Sequence, residues 1–292
     1  MVELRVPEVD YTEYSNRQLL AVPLAVLALA LLILGGWYLF TGAPASYGLE
    51  FTGGTEVRVA VGDAQNPEAQ IRSAFSTEPE SVRSIPGDDV YVVTFAAGQA
   101  DAGTLEEEAI AEWGEDGYRG LDQVSESFGS DTRRLAITGV GVAFLGMAVL
   151  VFALFRTFVP SVAVVLSAFS DLVVPIAMMN LLGIDLTLGT VAALLMLIGY
   201  SVDSDILLNT SVLRRTGGFY ESVQRAMRTG VTMTITSIAA MTVMAIAATI
   251  LGVDLLRDIG LILVVGLFAD LMNTYLMNVS LLRWHKFEGV KR

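Results

Sequence analysis

Six long apolar runs limit this chain more than any other feature: Leu19–Phe40, Leu135–Phe155, Val159–Leu182, Leu186–Leu208, Val231–Leu251 and Ile259–Leu282. Each holds about 20 residues, the length at which a helix spans the roughly 30 Å hydrocarbon core of a bilayer. A water-soluble core has no use for so many uninterrupted apolar helices, so the pattern predicts an α-helical membrane protein with six transmembrane helices. The first run is too long for the core of a signal peptide, which usually has about 7–15 apolar residues. Ala43-Pro44-Ala45 resembles a cleavage site, yet an uncleaved anchor is the expectation.

Residue inventory closes several chemical routes. The chain has no cysteine and one histidine, His285, set between Arg283 and Lys286 beyond the last run, where an interfacial basic residue is expected. Thiolate metal sites, paired-histidine zinc sites and a histidine-based triad are therefore excluded. Lysine occurs only at Lys286 and Lys291, so no glycine-rich phosphate loop carries its lysine. The expectation is a protein that is not an enzyme and needs no cofactor.

The only sizeable polar stretch, residues 41–134, carries 18 acids and 6 arginines, nearly all of the chain's excess negative charge. Acidity spread over a whole domain resembles adaptation to high salt and argues against nucleic acid as a partner. Basic residues in the short connections set orientation. Arg156, Arg214, Arg215, Arg225, Arg228, Arg283, Lys286, Lys291 and Arg292 fall on one side, whereas the opposite short loops hold only Arg257. The expected division is a cytoplasmic N-terminus at 1–18, a first transmembrane helix at 19–40 and an external domain at 41–134. Transmembrane helices two to six come next at 135–282, then a cytoplasmic C-terminus at 283–292.

Within the external domain, Leu49–Val61 alternates like a strand around Gly53-Gly54. Asn66–Phe75 opens with an N-cap residue and then proline, which suits a helix. Val90–Phe95 reads as a strand after a turn at Pro86-Gly87, Leu105–Trp113 as a second helix and Leu121–Phe128 as a closing strand. The order is approximately βαββαβ, a small α+β domain of ferredoxin-like type.

Four acids interrupt the apolar runs: Asp171, Asp203, Asp205 and Asp270. An acid at mid-bilayer costs on the order of 2.5–3.5 kcal/mol on insertion scales and usually faces the bundle interior. Asp203 and Asp205 point about 200° apart on a helix, so only one can face a given partner. Pro175 offers no N–H to the carbonyl of Asp171, which favours a hydrated pocket there. Asn273 and Asn278 come after Asp270 on nearby turns, and Thr232, Thr234, Thr236, Ser237 and Thr242 line the fifth run. Arg228, just before that run, reads either as a topology-setting arginine or as a counter-ion to Asp203 or Asp205. Several acids across three spans favour an ion or proton pathway over isolated structural hydrogen bonds.

Several of these motifs coincide. Phe51-Thr52-Gly53-Gly54-Thr55, just after the first run, is similar to a signature of the SecD/SecF protein-export family. Ser167–Leu208, with Asp171 and the later Gly199-Tyr200-Ser201 before the acidic pair, resembles that family's membrane core, and Met227–Ser237 resembles the arginine-threonine span after it. The resemblance covers essentially the whole chain. Six spans and one external domain fit the shorter of the family's two members. It implies half of a bundle related to the RND transporters, paired with the longer member, SecD. It also implies work with the Sec translocon channel on exported polypeptide, driven by proton or sodium flow across the lipid bilayer. Asp171 and Arg228 match family positions and Asp203 matches the aspartate of the SecD-like pattern, whereas bacterial counterparts of the shorter member more often carry the acid at the position of Ser204, so the titrating role falls to Asp203 or Asp205. Asp270 has no counterpart in that pattern and rests on its intramembrane placement. Two alternatives stay open: a half-transporter for small molecules or lipids, and a purely structural stabiliser of SecD.

Overall fold

The computed structural model describes residues 10–62, 65–85, 89–214 and 218–287. Arg215, Lys291 and Arg292 of the orientation argument, and the expected Pro86-Gly87 turn, lie outside them. In chain order come helix α1 (Asn16–Thr41), the single turn α2 (Leu49–Thr52), strand β1 (Gly54–Ala60) and helix α3 (Pro67–Ala74). Strands β2 (Ser81–Ser84) and β3 (Val90–Phe95) precede helix α4 (Ala102–Gly117) and strand β4 (Tyr118–Val124). The long helices are α5 (Glu126–Phe155), α6 (Phe158–Leu182), α7 (Leu188–Arg214), α8 (Phe219–Ile250) and α9 (Asp254–Met272). A π-helical segment, Asn273–Asn278, leads without a break into α10 (Val279–Phe287).

The chain divides into two compact units, one of Met1–Ser46, Gly139–Asp185 and Gly189–Arg292, the other of Tyr47–Thr138 and Leu186–Leu188. In the smaller unit the strands form one antiparallel sheet in the order β2-β3-β1-β4. Alternation along β1 buries Val57 and Val59 completely, and they pack with Ile71 of α3, Val93 and Phe95 of β3, and Leu105 and Ala109 of α4. Phe75 closes this core against Phe95 and Trp113, at ring separations of 5.1 and 5.8 Å. Asn66 caps α3 by accepting from the Ala69 N–H at 3.3 Å, and Pro67 takes the first turn.

Several expected boundaries move in this unit, with the second helix running Ala102–Gly117 and the closing strand starting at Tyr118. The strand expected from Leu49 starts only at Gly54, and Leu49–Thr52 is a helical turn. Gly53 and Gly54 have φ of +73° and +127°, so the chain reverses there before alternation can begin. The closing strand ends at Val124 and not Phe128, because the Ser125 hydroxyl accepts the Phe128 N–H at 3.4 Å and starts α5.

Among the described residues, five helices are long and apolar enough to cross a membrane: α1, α5, α6, α7 and α8. α1 starts with a reciprocal capping box between Ser15 and Gln18 and stops at Gly42, left-handed at φ +76°. α6 is the most enclosed of these helices and continues through Pro175. It packs on α1 through Leu27, Ala30, Val173 and Ala177, and on α5 and α7 through Val151, Phe155, Val164 and Val202. The sixth expected span, Ile259–Leu282, is not one plain helix. Helix begins earlier, at Asp254, where Arg257 pairs with Asp254 at 2.9 Å and Asp258 at 3.0 Å, and its winding changes at Asn273.

One end of the larger unit is tied by the segment before α1. Tyr11 is buried, and its hydroxyl lies 3.1 Å from both the Met227 sulfur and the Tyr275 carbonyl oxygen, to one of which it donates. Burial pushes this hydroxyl up to about 12, so it stays a donor. Arg283 donates to the carbonyls of Tyr11 and Tyr14 at 2.8 and 2.9 Å.

Candidate functional site

Polar side chains from α6, α7, α9 and the π segment meet inside the larger unit. Asp171 is 1% exposed; one oxygen accepts from the Ser201 hydroxyl of α7 and the other from the Asn273 amide, both at 2.6 Å. Asp205 is fully buried, and its Oδ1 accepts from the Thr274 hydroxyl at 2.8 Å and from the Asn278 amide. Asp270, 1% exposed, accepts from the Ser204 hydroxyl at 2.8 Å, with the Thr274 hydroxyl 3.4 Å from the same oxygen. Three carboxylates from three helices thus share one network of hydroxyls and amides.

The π winding explains how one short segment serves two of these acids. A π turn widens the helix and shifts which side chains share a face, and such segments cluster at functional positions. Here it brings Asn273 to Asp171 while Thr274 and Asn278 reach Asp205. The Tyr275 hydroxyl fills the space beside Gly230, where a Cβ would collide with it.

Several buried polar atoms here have no hydrogen-bond partner among the described groups: Asp205 Oδ2, Asp270 Oδ2, Asn273 Oδ1 and Asn278 Oδ1 as acceptors, and the Ser167 and Ser170 hydroxyls of α6 as donors. The Ser167 hydroxyl is placed near enough to act on Asp205, and buried unpaired groups are rare in folded proteins unless they have a use. Among the described residues, no three acidic, histidine or cysteine side chains converge closely enough to chelate a metal ion.

The predicted site residues separate into those inside the network and those outside it. Asp171, Asp205 and Asp270 are brought together, with Ser201 of the family-like motif as a donor. Asp203 is exposed and lines a cavity of about 470 Å³ between α7 and α8, with Tyr200, Leu207, Thr210, Met233 and Ser204 in the same wall. Among the described hydrogen bonds, the partners of the three buried acids are neutral side chains, and Arg228 lies on α8. Tyr200 pairs with Ser237 of α8 at 3.0 Å, and Gly199 lies on α7 with no close neighbour at its Cβ position. Phe51, Thr52, Gly53, Gly54 and Thr55 belong to the other unit: Phe51 and Thr55 are buried, and the glycines make the reversal before β1. Ser204 is marked in the sequence only by the family resemblance, as the position where bacterial members carry their acid, and Thr274 only by spacing. The recurrence of Asp270, Thr274 and Asn278 at every fourth position is the signal that points to Thr274.

Comparison with known proteins gives one consistent picture. The family described as protein export membrane protein SecD/SecF, C-terminal, matches residues 108–288. A protein-export membrane protein SecF of Haloferax volcanii is 64% identical over 292 residues, covering 100% of both chains. Its counterpart from Haloquadratum walsbyi is 59% identical over 293 residues, again covering 100% of each. That of Methanocaldococcus jannaschii is 36% identical, over 91% of this chain and 94% of its own. Among solved structures, SecDF, a translocon-associated membrane protein from Thermus thermophilus, aligns with a TM-score of 0.75 at 24% identity. The match covers 96% of this chain but 39% of that one, so the chain spans well under half of that longer protein. SecDF in a super-membrane-facing form aligns at a TM-score of 0.58 and 22% identity. At these identities the likeness is one of fold.

Proposed function

The chain belongs to the SecD/SecF protein-export family, and from that premise we propose that it couples cation movement through its buried acids to the export of proteins. It is a multi-pass membrane protein and an accessory subunit of Sec protein export. In this reading it works beside SecD and the Sec channel on exported polypeptide, without covalent catalysis. α9, the π segment and α10 complete a six-span half of an RND-type bundle. The β2-β3-β1-β4 order supports a ferredoxin-like fold for the smaller unit. The arginines that flank the spans support cytoplasmic termini and an external smaller unit.

The observation that carries the coupling is the burial of three carboxylates from three helices in one network of neutral hydrogen-bond partners. Like charges so close in a low-dielectric interior disfavour full ionisation of all three. A proton or a sodium ion relieves that repulsion, and its arrival or departure changes which helices are held together. Because Asp171, Asp205 and Asp270 sit on α6, α7 and α9, one cation binding event bears on three helices.

The same bonds also tie the helices together, which keeps the structural-stabiliser reading in play. Asp205→Asn combined with Asp270→Asn separates the two. Coupling predicts that the SecD complex still co-purifies while secretion falls at least about tenfold, a smaller loss than the roughly 10²–10⁴-fold typical of a positioned proton-transfer group. Normal secretion from the double variant would rule coupling out, and loss of the complex would favour the structural role.

A further inference from the structure

Ser204 occupies a boundary that no other residue of the site shares. It is half-buried, lines the cavity that Asp203 also lines, and donates toward buried Asp270. Among the described cavity-lining side chains it is the one bonded to a carboxylate of the buried trio. We propose that Ser204 and Thr274 form a hydroxyl relay by which protons entering at the Asp203 cavity reach Asp270 and then Asp205. The proposal rests on the cation-coupling reading and deepens it by naming a route.

Counting protons supports the route. A serine hydroxyl carries one proton. Ser204 Oγ nevertheless stands 2.8 Å from the Ser201 carbonyl oxygen, 2.8 Å from Asp270 Oδ1 and 3.3 Å from Thr274 Oγ1. Thr274 has the same choice between Asp205 Oδ1 at 2.8 Å and Asp270 Oδ1 at 3.4 Å. Each hydroxyl therefore serves one acceptor at a time, and rotation about a single C–O bond changes which one. In the first arrangement Ser204 donates to Asp270 and Thr274 to Asp205. In the second, Thr274 turns to Asp270 and releases Asp205.

The transfer balances at each step. A protonated water in the cavity gives a proton to Ser204 Oγ as the serine's own proton passes to Asp270 Oδ1. One O–H bond forms at the serine and one breaks, so the serine is unchanged and Asp270 has gained a proton. Thr274 repeats the exchange between Asp270 and Asp205. The cavity of about 470 Å³ has mostly apolar walls, with Asp203, Tyr200, Ser204, Thr210 and Thr234 as its polar members, and it has room for several waters at about 30 Å³ each beside them. The titratable groups around the relay are Asp203, Asp205 and Tyr200 of α7, Asp171 of α6, Asp270 of α9, and Tyr275, whose hydroxyl reaches Gly230 of α8. Sodium cannot pass along hydroxyls in this way, so the route is specific to protons.

The test uses the chain reconstituted with its SecD partner in liposomes holding a pH-sensitive dye, with a proton gradient imposed. Ser204→Ala and Thr274→Val should each slow proton entry at least about tenfold with the complex intact, whereas Ser204→Thr, which keeps the hydroxyl, should restore most of it. Thr274→Val preserves shape, so it breaks the chain independently should the alanine variant fail to assemble. Wild-type rates in both hydroxyl variants, with entry stopped in Asp270→Asn, would overturn the relay and leave coupling standing. Wild-type rates in Asp205→Asn and Asp270→Asn as well would overturn coupling itself. Uptake driven by sodium with no proton entry would also overturn the relay.

Discussion

Asp203 and Asp205 show how far two places along a helix separate the fates of identical side chains. At 100° per residue they face nearly opposite ways, one toward the cavity and one into the buried network. Their surroundings make opposite predictions. Asn278→Leu removes an amide donor from fully buried Asp205 and should lower stability by about 1–3 kcal/mol, the cost of leaving a buried polar group without its partner. Asp203→Asn touches an exposed group and should stay within about 0.5 kcal/mol of the parent. Thermal unfolding of the detergent-solubilised protein measures both, and equal losses would mean that burial does not distinguish these acids. The opposed directions of Asp203 and Asp205 are legible from sequence spacing alone. The convergence of Asp171, Asp205 and Asp270 is not, because it depends on how three helices pack. Ser204 and Thr274 are harder still, since small hydroxyl residues in apolar helices usually serve close packing.

At the scale of elements, the π segment is the feature that periodicity could not reveal. Apolar spacing from Ile259 to Leu282 predicts a helix, and helix is there, but a change of winding leaves composition and length untouched. The consequence is testable by removing one residue. Deleting Leu276 should let Asn273–Asn278 relax to ordinary α winding, which covers the same turn with one residue fewer and so leaves α10 nearly in its place relative to α9. Arg283 would then keep the carbonyls of Tyr11 and Tyr14, whereas the side chains within the segment change face and Asn278 is drawn off Asp205. Limited proteolysis near Tyr11–Ser15 should therefore run at the parent's rate while the unfolding temperature falls, and faster cleavage there would show that α10 had turned. Helix length was legible where it exceeded the bilayer. α8 has 32 residues, about 48 Å at 1.5 Å per residue, so its charged first turns with Glu221, Arg225 and Arg228 extend beyond the apolar part. In the smaller unit, strand alternation was readable along β1, whereas the left-handed Gly53-Gly54 pair displaced the expected start.

For the molecule as a whole, charge is distributed as unevenly as polarity. With 18 acids against 6 arginines, the net negative charge of the smaller unit repels itself over a Debye length of about 10 Å at 0.1 M salt, but only about 3 Å at 1 M. Lowering salt from molar to about 0.1 M should therefore shift the unfolding of that unit to lower temperature and move the helical unit much less. Differential scanning calorimetry across that range is the check, and a salt-independent transition would sink the argument. The contacts that span the greatest sequence distance act at the other extreme of this scale. Tyr11 is held by Arg283, 272 positions later, and it touches Tyr275, 264 positions later. A ribosome must therefore make the chain as far as Arg283 before the segment around Tyr11 can settle. Until then the nascent protein carries a loose aromatic hook, and any chain cut short during synthesis keeps that hook free for the cell's quality control to find.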